Sequence, residues 1–321
     1  MIPSVLVTRR LPQLVESRLA RLFSTKLRTS DEPLDRQALE AAMREHDALV
    51  STITDKIDAE LIATKGRRVR IIANFGAGTD HIDTGAAKEA GLVVTNTPDG
   101  LTDATAELTI LLMLMAARRA GEGERVLRSG AWQGWGPTHM IGQGLTGRTL
   151  GLVGFGRIAR STAAKALGLG MSVRYFSRNR APAEVEDRLQ ATSAQSLEAL
   201  AAEADILSIH VPGGAATRHL IDRHLLKRMK RSAILVNTAR GSVVDEAALA
   251  EALAQGSIAA AALDVYEREP EVEPLLLSLP NVVLLPHLGS ATIEARTAMG
   301  MQAADNLEDY FSGAEPRNRV E

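Results

Sequence analysis

The stretch TLGLVGFGRIARSTAAKAL, residues 149–167, decides the fold of the second half of the chain. A short apolar run ends at Gly154, a glycine-rich turn follows, and an alanine-rich segment with helical periodicity begins at Arg157. Gly154 allows a tight turn, and Gly156 lets the backbone approach a ligand at a helix N-terminus that offers unpaired N–H groups. Strand, turn and helix in this order predict a cradle for the pyrophosphate of a dinucleotide, with Ala159 in place of the third glycine.

Short apolar strands alternate with helical segments on both sides of this cradle. Six strand candidates, TLGLVG, SVRYFS, ADILSIHV, AILVNT, AAALDV and NVVLLP, follow one another between residues 148 and 287, and four more precede residue 98. Such alternation is typical of parallel sheets that are covered by helices on both faces. We therefore expect an α/β fold of two Rossmann-like or flavodoxin-like parallel-sheet domains with a cleft between them.

The last helical segment, residues 290–311, has no sheet of its own to complete and is expected to pack on the first domain. Residues 1–98 and 287–321 would then form one domain, which we expect to bind substrate, and residues 99–286 would form the dinucleotide-binding domain. The connecting segment TDATAELTILLMLMAARRAGEGERVL (102–127) reads as one long helix with almost no polar face over its middle. Such a helix is expected to be buried, between domains or against a subunit partner.

Composition narrows the classes of function. A chain of 321 residues suits two domains, and its formal charge of −2 gives no general attraction to nucleic acid or to an anionic membrane. The absence of cysteine excludes disulfides, thiolate nucleophiles and cysteine-ligated metals, and no metal site is expected. No apolar run has the length of a membrane span, so a cytoplasmic protein is the default expectation.

The segment RYFSRNR (174–180) predicts which cofactor is preferred. An NAD site usually carries a carboxylate at the end of the second strand, where it binds the ribose hydroxyls. Here Ser177 stands at that position, followed by Arg178 and Arg180. A hydroxyl beside a guanidinium would bind the 2′-phosphate of NADP(H) through charge-assisted bonds, so NADP(H) is favoured and NAD(H) remains possible. The alternative is that these arginines form a solvated surface turn.

Three polar residues lie where later strands end, at the edge of the sheet where open α/β folds bind ligands. Arg240 follows AILVNT, Glu269 follows AAALDV, and His287 follows NVVLLP. An arginine can bind a carboxylate with two bonds, a histidine can transfer a proton near neutral pH, and a glutamate can orient the imidazole ring. Taken singly, each has an ordinary alternative: a helix-cap arginine, a surface glutamate or a half-buried loop histidine.

These residues belong to a set of motifs that runs along nearly the whole chain. The motifs are NFGAGTDHID (74–83), NTPDGLTDATAELT (96–109), the glycine loop at 154–159, NTARGSVVDE (237–246), LDVYEREP (263–270) and PHLGSAT (286–292). In order and spacing they resemble the D-2-hydroxyacid dehydrogenase family, most closely its glyoxylate/hydroxypyruvate reductase branch. The resemblance implies an NAD(P)-dependent enzyme that reduces a small 2-oxo acid, such as glyoxylate or hydroxypyruvate, to the 2-hydroxy acid.

The resemblance also implies roles for individual residues. Arg240 would bind the 2-oxo acid, and Glu269 would partner His287, the general acid–base. Backbone N–H groups of the substrate-binding residues Phe75, Gly76, Ala77 and Gly78 would hold the substrate carboxylate. The residues expected to bind the cofactor are Thr105, Gly154, Gly156, Arg157, Ile158, Ser177, Arg178, Arg180, His210, Val211, Pro212, Thr217, Thr238, Ala239, Asp264, His287 and Gly289. Asp264 would bond the nicotinamide carboxamide.

The resemblance also leads to an expectation about the subunit assembly and to two alternative functions. The protein is expected to be a homodimer, in which the loop with Trp132 and Trp135 reaches toward the partner's active site or simply packs in a dimer arm. One rival function is an NADH-linked dehydrogenase for a bulkier 2-hydroxy acid. The other is a dinucleotide-sensing, corepressor-like scaffold, although such a binding protein has no need of a proton-transferring Glu–His pair.

Overall fold

The computed structural model describes residues 2–320 and divides the chain into two compact units. The first unit comprises Met1–Leu101 and Ser290–Glu321, and the second comprises Thr102–Gly289. Both boundaries lie three residues further along the chain than those expected at 98 and 286. His287 therefore belongs to the second unit. Residues 1 and 321, the ends of the expected first domain, lie outside the described residues.

The first unit is built on a five-stranded parallel sheet. Its strands and helices up to residue 95 are β1 (Ser4–Val7), α1 (Gln13–Leu22), β2 (Ser24–Lys26), α2 (Arg36–Glu45), β3 (Ala48–Ser51), α3 (Ala59–Ile62), β4 (Ile71–Asn74), α4 (Thr84–Glu89) and β5 (Val93–Thr95). The strand order is β2-β1-β3-β4-β5, and every pairing is parallel. β3 and β4 are buried along their whole length, which explains their continuous apolar sequences.

The second unit is built on a seven-stranded parallel sheet. Its elements are α5 (Thr102–Ala117), α6 (Ala120–Arg128), β6 (Thr149–Val153), α7 (Arg157–Gly168), β7 (Ser172–Phe176), α8 (Ala183–Leu189), β8 (Ala191–Ser193), α9 (Leu197–Glu203), β9 (Ile206–Ile209), α10 (Arg223–Leu226), β10 (Ile234–Asn237), a 3₁₀ turn (Gly241–Val243), α11 (Glu246–Ala254), β11 (Ala260–Leu263), α12 (Pro274–Ser278) and β12 (Val282–Leu284). The strand order is β12-β11-β10-β9-β6-β7-β8. Because all pairings are parallel, the ends of β10, β11 and β12 meet at one edge of the sheet. The expected α/β class with two parallel sheets is confirmed.

The last helix, α13 (Ile293–Ser312), returns to the first unit and covers one face of its sheet. Ala303, Ala304 and Leu307 are fully buried among side chains of β1, β3 and β4. Gly300 lies so close to α1 that a methyl group there would be 2.5 Å from the side chain of Val15. Small residues on α13 therefore allow it to approach α1 closely.

The connecting helical segment differs from the expectation in two ways. The single long helix is interrupted at Arg119, whose φ of 53° ends α5 before α6 begins. Leu111 and Leu114 on α5 are 47% and 36% exposed, so the helix is not buried on all sides within this chain. No helix within residues 2–320 is both long and apolar enough to cross a membrane. The same residues contain no group of three or more His, Asp or Glu side chains placed to hold a metal ion.

Candidate active site

A histidine–glutamate pair lies at the edge of the second unit's sheet. His287 follows β12 and Glu269 follows the neighbouring β11, and His287 Nδ1 lies 2.8 Å from Glu269 Oε2. The other oxygen of Glu269 accepts the backbone N–H of Tyr266 at 3.0 Å. Burial raises the pKa of Glu269, but the hydrogen bond from His287 and its charge outweigh this and lower the pKa below the usual value. Glu269 is therefore an ionised acceptor, and His287 Nδ1 carries a proton.

The backbone of His287 is held by Asp264, which is completely buried. The His287 N–H donates to the carbonyl of Asp264, and the N–H groups of Leu288 and Gly289 donate to its two carboxylate oxygens at 2.7 and 2.8 Å. These bonds fix His287 at a φ of 55°, which is uncommon for a residue with a side chain and is found at functional sites. Burial raises the pKa of Asp264, and these N–H groups offset part of that effect. Asp264 thus orients the His287 loop; its expected bond to the nicotinamide remains a prediction.

Arg240 lies in the turn after β10, and β10 pairs with β11, the strand that precedes Glu269. The buried amide of Asn237 shapes the turn, since Nδ2 donates to the Arg240 carbonyl at 2.9 Å and Oδ1 accepts the Ala239 N–H at 3.0 Å. A Cβ at Gly241 would lie 1.8 Å from the backbone carbon of Tyr266. The Arg240 turn therefore packs directly against the backbone of the Glu269 loop, which only glycine permits.

The glycine loop after β6 has the geometry of a phosphate cradle. Gly154 has a φ of 91°, and a Cβ there would lie 2.6 Å from the carbonyl oxygen of His210. At Gly156, which precedes α7, a Cβ would meet no atom within 4 Å. Arg157 and Ile158 lie in the first turn of α7, and the absence of a side chain at Gly156 leaves room beside the N-terminus of this helix, the end toward which its first N–H groups point. This arrangement fits the pyrophosphate of a dinucleotide.

The arginines after β7 are not equivalent. Arg180 donates from Nε and Nη2 to the carboxylate of Glu186, which also accepts the hydroxyl of Tyr175 at 2.5 Å. The Arg178 side chain is exposed and has no ion pair or hydrogen bond within the part of the chain that the structure describes. Ser177 Oγ donates to the carbonyl of Asn179. The structure therefore gives Arg180 an internal partner, which the sequence did not indicate, and makes Arg178 the better candidate for a cofactor phosphate.

The remaining residues expected at the cofactor site also belong to the second unit. Thr105 donates to the carbonyl of Gly289 at 3.1 Å, and Thr238, which precedes Ala239, bonds the hydroxyl of Thr109 at 2.9 Å. These bonds tie α5 to the His287 and Arg240 loops.

After β9, burial lowers the pKa of His210 to about 3, so its ring is neutral at physiological pH. Val211 and Pro212 follow it, and the Thr217 hydroxyl closes the loop by donating to the Pro212 carbonyl.

The loop Phe75–Gly78, which we call the carboxylate loop, follows β4 in the first unit. Two of its four backbone N–H groups are already engaged: Phe75 donates to the Ser51 carbonyl at 2.8 Å and Gly76 to the Asn74 carbonyl at 3.0 Å. The expectation that the Phe75 and Gly76 N–H groups hold the substrate carboxylate is therefore wrong, because both already donate to carbonyl groups of the protein. The N–H groups of Ala77 and Gly78 have no acceptor within residues 2–320. They are the groups of this loop that can bind an anion.

Comparison with known proteins agrees with this arrangement. Residues 110–289 match the family described as "D-isomer specific 2-hydroxyacid dehydrogenase, NAD binding domain". A glyoxylate reductase from Thermococcus litoralis is 44% identical over 99% of this chain and 96% of its own length. The chain belongs to the D-isomer specific 2-hydroxyacid dehydrogenase family. It is therefore an NAD(P)-dependent oxidoreductase.

Two solved structures of similar proteins cover this dehydrogenase from end to end. A D-isomer specific 2-hydroxyacid dehydrogenase from Polaromonas superposes with a TM-score of 0.93 at 36% identity, with 100% of both chains covered. An NADPH-dependent glyoxylate/hydroxypyruvate reductase from Sinorhizobium meliloti, in complex with NADP and malonate, has a TM-score of 0.88 at 37% identity. That comparison covers 100% of this chain and 97% of the other.

Sequence reasoning missed several polar residues that shape the site of this dehydrogenase. They are buried or partly buried at strand ends or behind loops, and they bind backbone groups or other side chains of the protein: Asn74, Asn96, Tyr175, Glu186 and Asn237. The available signal was a polar residue ending an otherwise apolar strand, as in IIAN and ILVN. Buried polar groups are almost always hydrogen-bonded, so such a residue predicts a nearby backbone partner.

Proposed function

We propose that this dehydrogenase reduces glyoxylate and hydroxypyruvate to glycolate and D-glycerate, with NADPH as the favoured reductant. The observation that carries the proposal is the pair of His287 and Glu269 at one sheet edge, with Arg240 in the turn after the neighbouring strand β10. A carbonyl reduction needs a proton donor and a cation beside the developing alkoxide, and this set supplies both. The names of the glyoxylate reductases that the chain resembles support the choice of substrate.

His287 is the proton donor in this proposal. Reduction adds a hydride to the carbonyl carbon and a proton to its oxygen, and the bound dihydronicotinamide is the source of the hydride. Because Nδ1–H is bonded to Glu269, Nε2 is the nitrogen that protonates the alkoxide. Glu269 stabilises the imidazolium before transfer and fixes the plane of the ring. The product hydroxy acid leaves with His287 neutral, and solvent then reprotonates the ring.

Arg240 and the carboxylate loop are proposed to bind the substrate. The guanidinium of Arg240 stabilises the negative charge that develops on the carbonyl oxygen, and it can also contact the carboxylate. The N–H groups of Ala77 and Gly78 donate hydrogen bonds to the carboxylate, a role that their lack of an acceptor within residues 2–320 supports.

The preference for NADPH rests on the end of β7. No carboxylate occupies the position of Ser177, and the exposed Arg178 follows it. A ribose-binding carboxylate would repel a 2′-phosphate, whereas a guanidinium attracts one. Residues of the glycine loop, Gly154 and Gly156, would hold the pyrophosphate between nicotinamide and adenosine.

Initial rates with four pairs of reactants test the proposal: glyoxylate or hydroxypyruvate, each with NADPH or NADH. We expect turnover of both acids and a higher kcat/KM with NADPH than with NADH. The variant Ser177→Asp should reverse the cofactor preference while keeping the acid preference. Absence of turnover with both acids would refute the proposed substrates, and equal use of both cofactors by the wild-type protein would refute the role of Arg178.

A further inference from the structure

Every carbonyl group from Gly76 to Gly78 accepts a hydrogen bond from inside the first unit. The Nδ2 atom of Asn74 donates to Gly76 O at 3.1 Å and to Gly78 O at 2.9 Å. The Nδ2 atom of Asn96 donates to Ala77 O at 2.8 Å, and the Thr97 N–H adds a second bond to Gly76 O at 3.0 Å. Two side-chain amides therefore fix three consecutive carbonyls.

Fixing a carbonyl also fixes the N–H group of the next residue. A trans peptide is planar, so its C=O and N–H groups point in opposite directions. The bond to Gly76 O thus sets the direction of the Ala77 N–H, and the bond to Ala77 O sets that of the Gly78 N–H. None of the carbonyls can turn outward without breaking a bond to an asparagine. The donors of the carboxylate loop are therefore preorganised before an anion arrives.

The side-chain amide of Asn74 is held in one orientation by its own hydrogen bonds. It is completely buried at the end of β4. Both hydrogens of its amide are used by Gly76 and Gly78, so its Oδ1 is an acceptor, and His81 Nε2 lies 3.0 Å from that oxygen. His81 Nε2 must donate in this bond, which holds the amide in the orientation that serves the loop. The backbone of Asn96 is held in turn, since its main-chain carbonyl accepts a hydrogen bond from Asn306 Nδ2 at 3.2 Å.

We infer that Asn74 and Asn96 are positioning residues for recognition of the substrate carboxylate: they direct the Ala77 and Gly78 N–H groups toward the anion without touching it. The inference rests on the proposed function, because it names the residues that organise the substrate site of that reaction. Preorganised donors gain affinity because no ordering cost is left to be met on binding. Loss of Asn74 should therefore weaken anion binding and leave proton transfer by His287 in place.

The variant Asn74→Ala and the inhibitor oxalate, a small dicarboxylate with no reducible carbonyl, test this inference. We expect the KM for glyoxylate and the inhibition constant of oxalate to rise together by about 10- to 100-fold, the effect of losing about 1.5–3 kcal/mol of binding. The KM for NADPH should stay within about twofold, and kcat should fall less than the KM rises. Asn96→Ala removes the bond to Ala77 O, which sets the direction of the Gly78 N–H, so it should show the same pattern. This variant also keeps the inference testable should Asn74→Ala fail to fold.

A matched control separates positioning from general stability. Asn281 in the second unit also donates from Nδ2 to two backbone carbonyls, those of Leu253 and Ala259. Asn281→Ala should lower the melting temperature while leaving the glyoxylate KM and oxalate inhibition unchanged. Folded Asn74→Ala and Asn96→Ala proteins with wild-type oxalate inhibition would overturn the inference. A wild-type protein that does not reduce glyoxylate would instead refute the proposed function.

Discussion

The Nδ1 atom of His287 lies 2.8 Å from Oε2 of Glu269, although 18 positions separate the two residues along the chain. Each residue is held by other contacts: Glu269 by the Tyr266 N–H, and His287 by the carbonyl of Asp264. The pair is therefore built by two adjacent loops and does not depend on long, flexible side chains meeting by chance. A ring held in this way has one nitrogen committed to the carboxylate and the other available for proton transfer.

Replacing Glu269 by glutamine tests the charge of this pair. The lowered pKa of Glu269 means that its carboxylate stays ionised through the neutral range and loses its charge only in acid. Glutamine keeps an acceptor oxygen but cannot stabilise the imidazolium by charge. We expect the kcat/KM for glyoxylate reduction to fall across the neutral range of the pH profile, because the imidazolium of His287 loses its ionised partner. A profile that superposes on that of the wild type would contradict the role of Glu269.

Separate alanine variants at Arg178 and Arg180 test which arginine selects the cofactor. Arg178→Ala should raise the KM for NADPH by about 10- to 100-fold and change that for NADH little, because one charge-assisted bond to the 2′-phosphate is lost. Arg180→Ala should have a much smaller effect, because its guanidinium is bound to Glu186. Steady-state kinetics with both cofactors decide the point. Equal losses in the two variants would show that Arg180 also contacts the phosphate.

The lowered pKa of the half-buried His210 predicts a pH dependence of stability. Its folded pKa is lowered to about 3, whereas an unfolded histidine has a pKa of about 6.5. Between these values only the unfolded state binds the extra proton, so stability falls as the pH falls, by up to about 1.4 kcal/mol per pH unit. Urea unfolding from pH 7 to pH 5 should show a shallower decline for His210→Asn than for the wild type. The same slope in both proteins would contradict the lowered pKa of this ring; His224→Asn, at an exposed position, serves as the control.

The apolar side chains exposed between residues 111 and 141 predict a subunit interface. They include Leu111 and Leu127, which are 47% and 62% exposed, and Trp135, which is 85% exposed. Exposed apolar groups concentrated on one segment are typical of an interaction surface. We expect a homodimer in sedimentation experiments and a shift toward monomer for Leu111→Glu. Leu277→Glu changes an equally apolar side chain that is 64% exposed on α12, and it should leave the dimer intact. A wild-type monomer at every concentration tested would be the contrary result.

Local sequence patterns were sufficient to predict the two parallel sheets, the strand, turn and helix around the glycine loop, and the position of three polar residues after strand ends. The cradle lies in one continuous segment, and Arg240, Glu269 and His287 each follow an apolar strand, so strand order alone brings them to one edge. β2 and β8 were not predicted, because each has three residues at a sheet edge and includes polar side chains that resemble a loop.

The tertiary partners of individual side chains could not be predicted in the same way. Arg178 and Arg180 look alike in the sequence, and the position of Glu186 relative to β7 distinguishes them only in three dimensions. Similarly, the engaged N–H groups of Phe75 and Gly76 depend on how the loop folds back on β3 and β4. The break at Arg119 escaped prediction, since AARRAG continues a strong helical pattern on both sides of it.

The rate of glyoxylate reduction by His287→Ala, measured with saturating NADPH beside the wild-type protein, tests the central claim most directly. If His287 donates the proton, kcat should fall by roughly 10²- to 10⁴-fold, the usual share of general acid catalysis, while NADPH binding is retained. A variant that binds NADPH and reduces glyoxylate at a rate near that of the wild type would contradict the assignment of His287 and Glu269 as the proton-transferring pair.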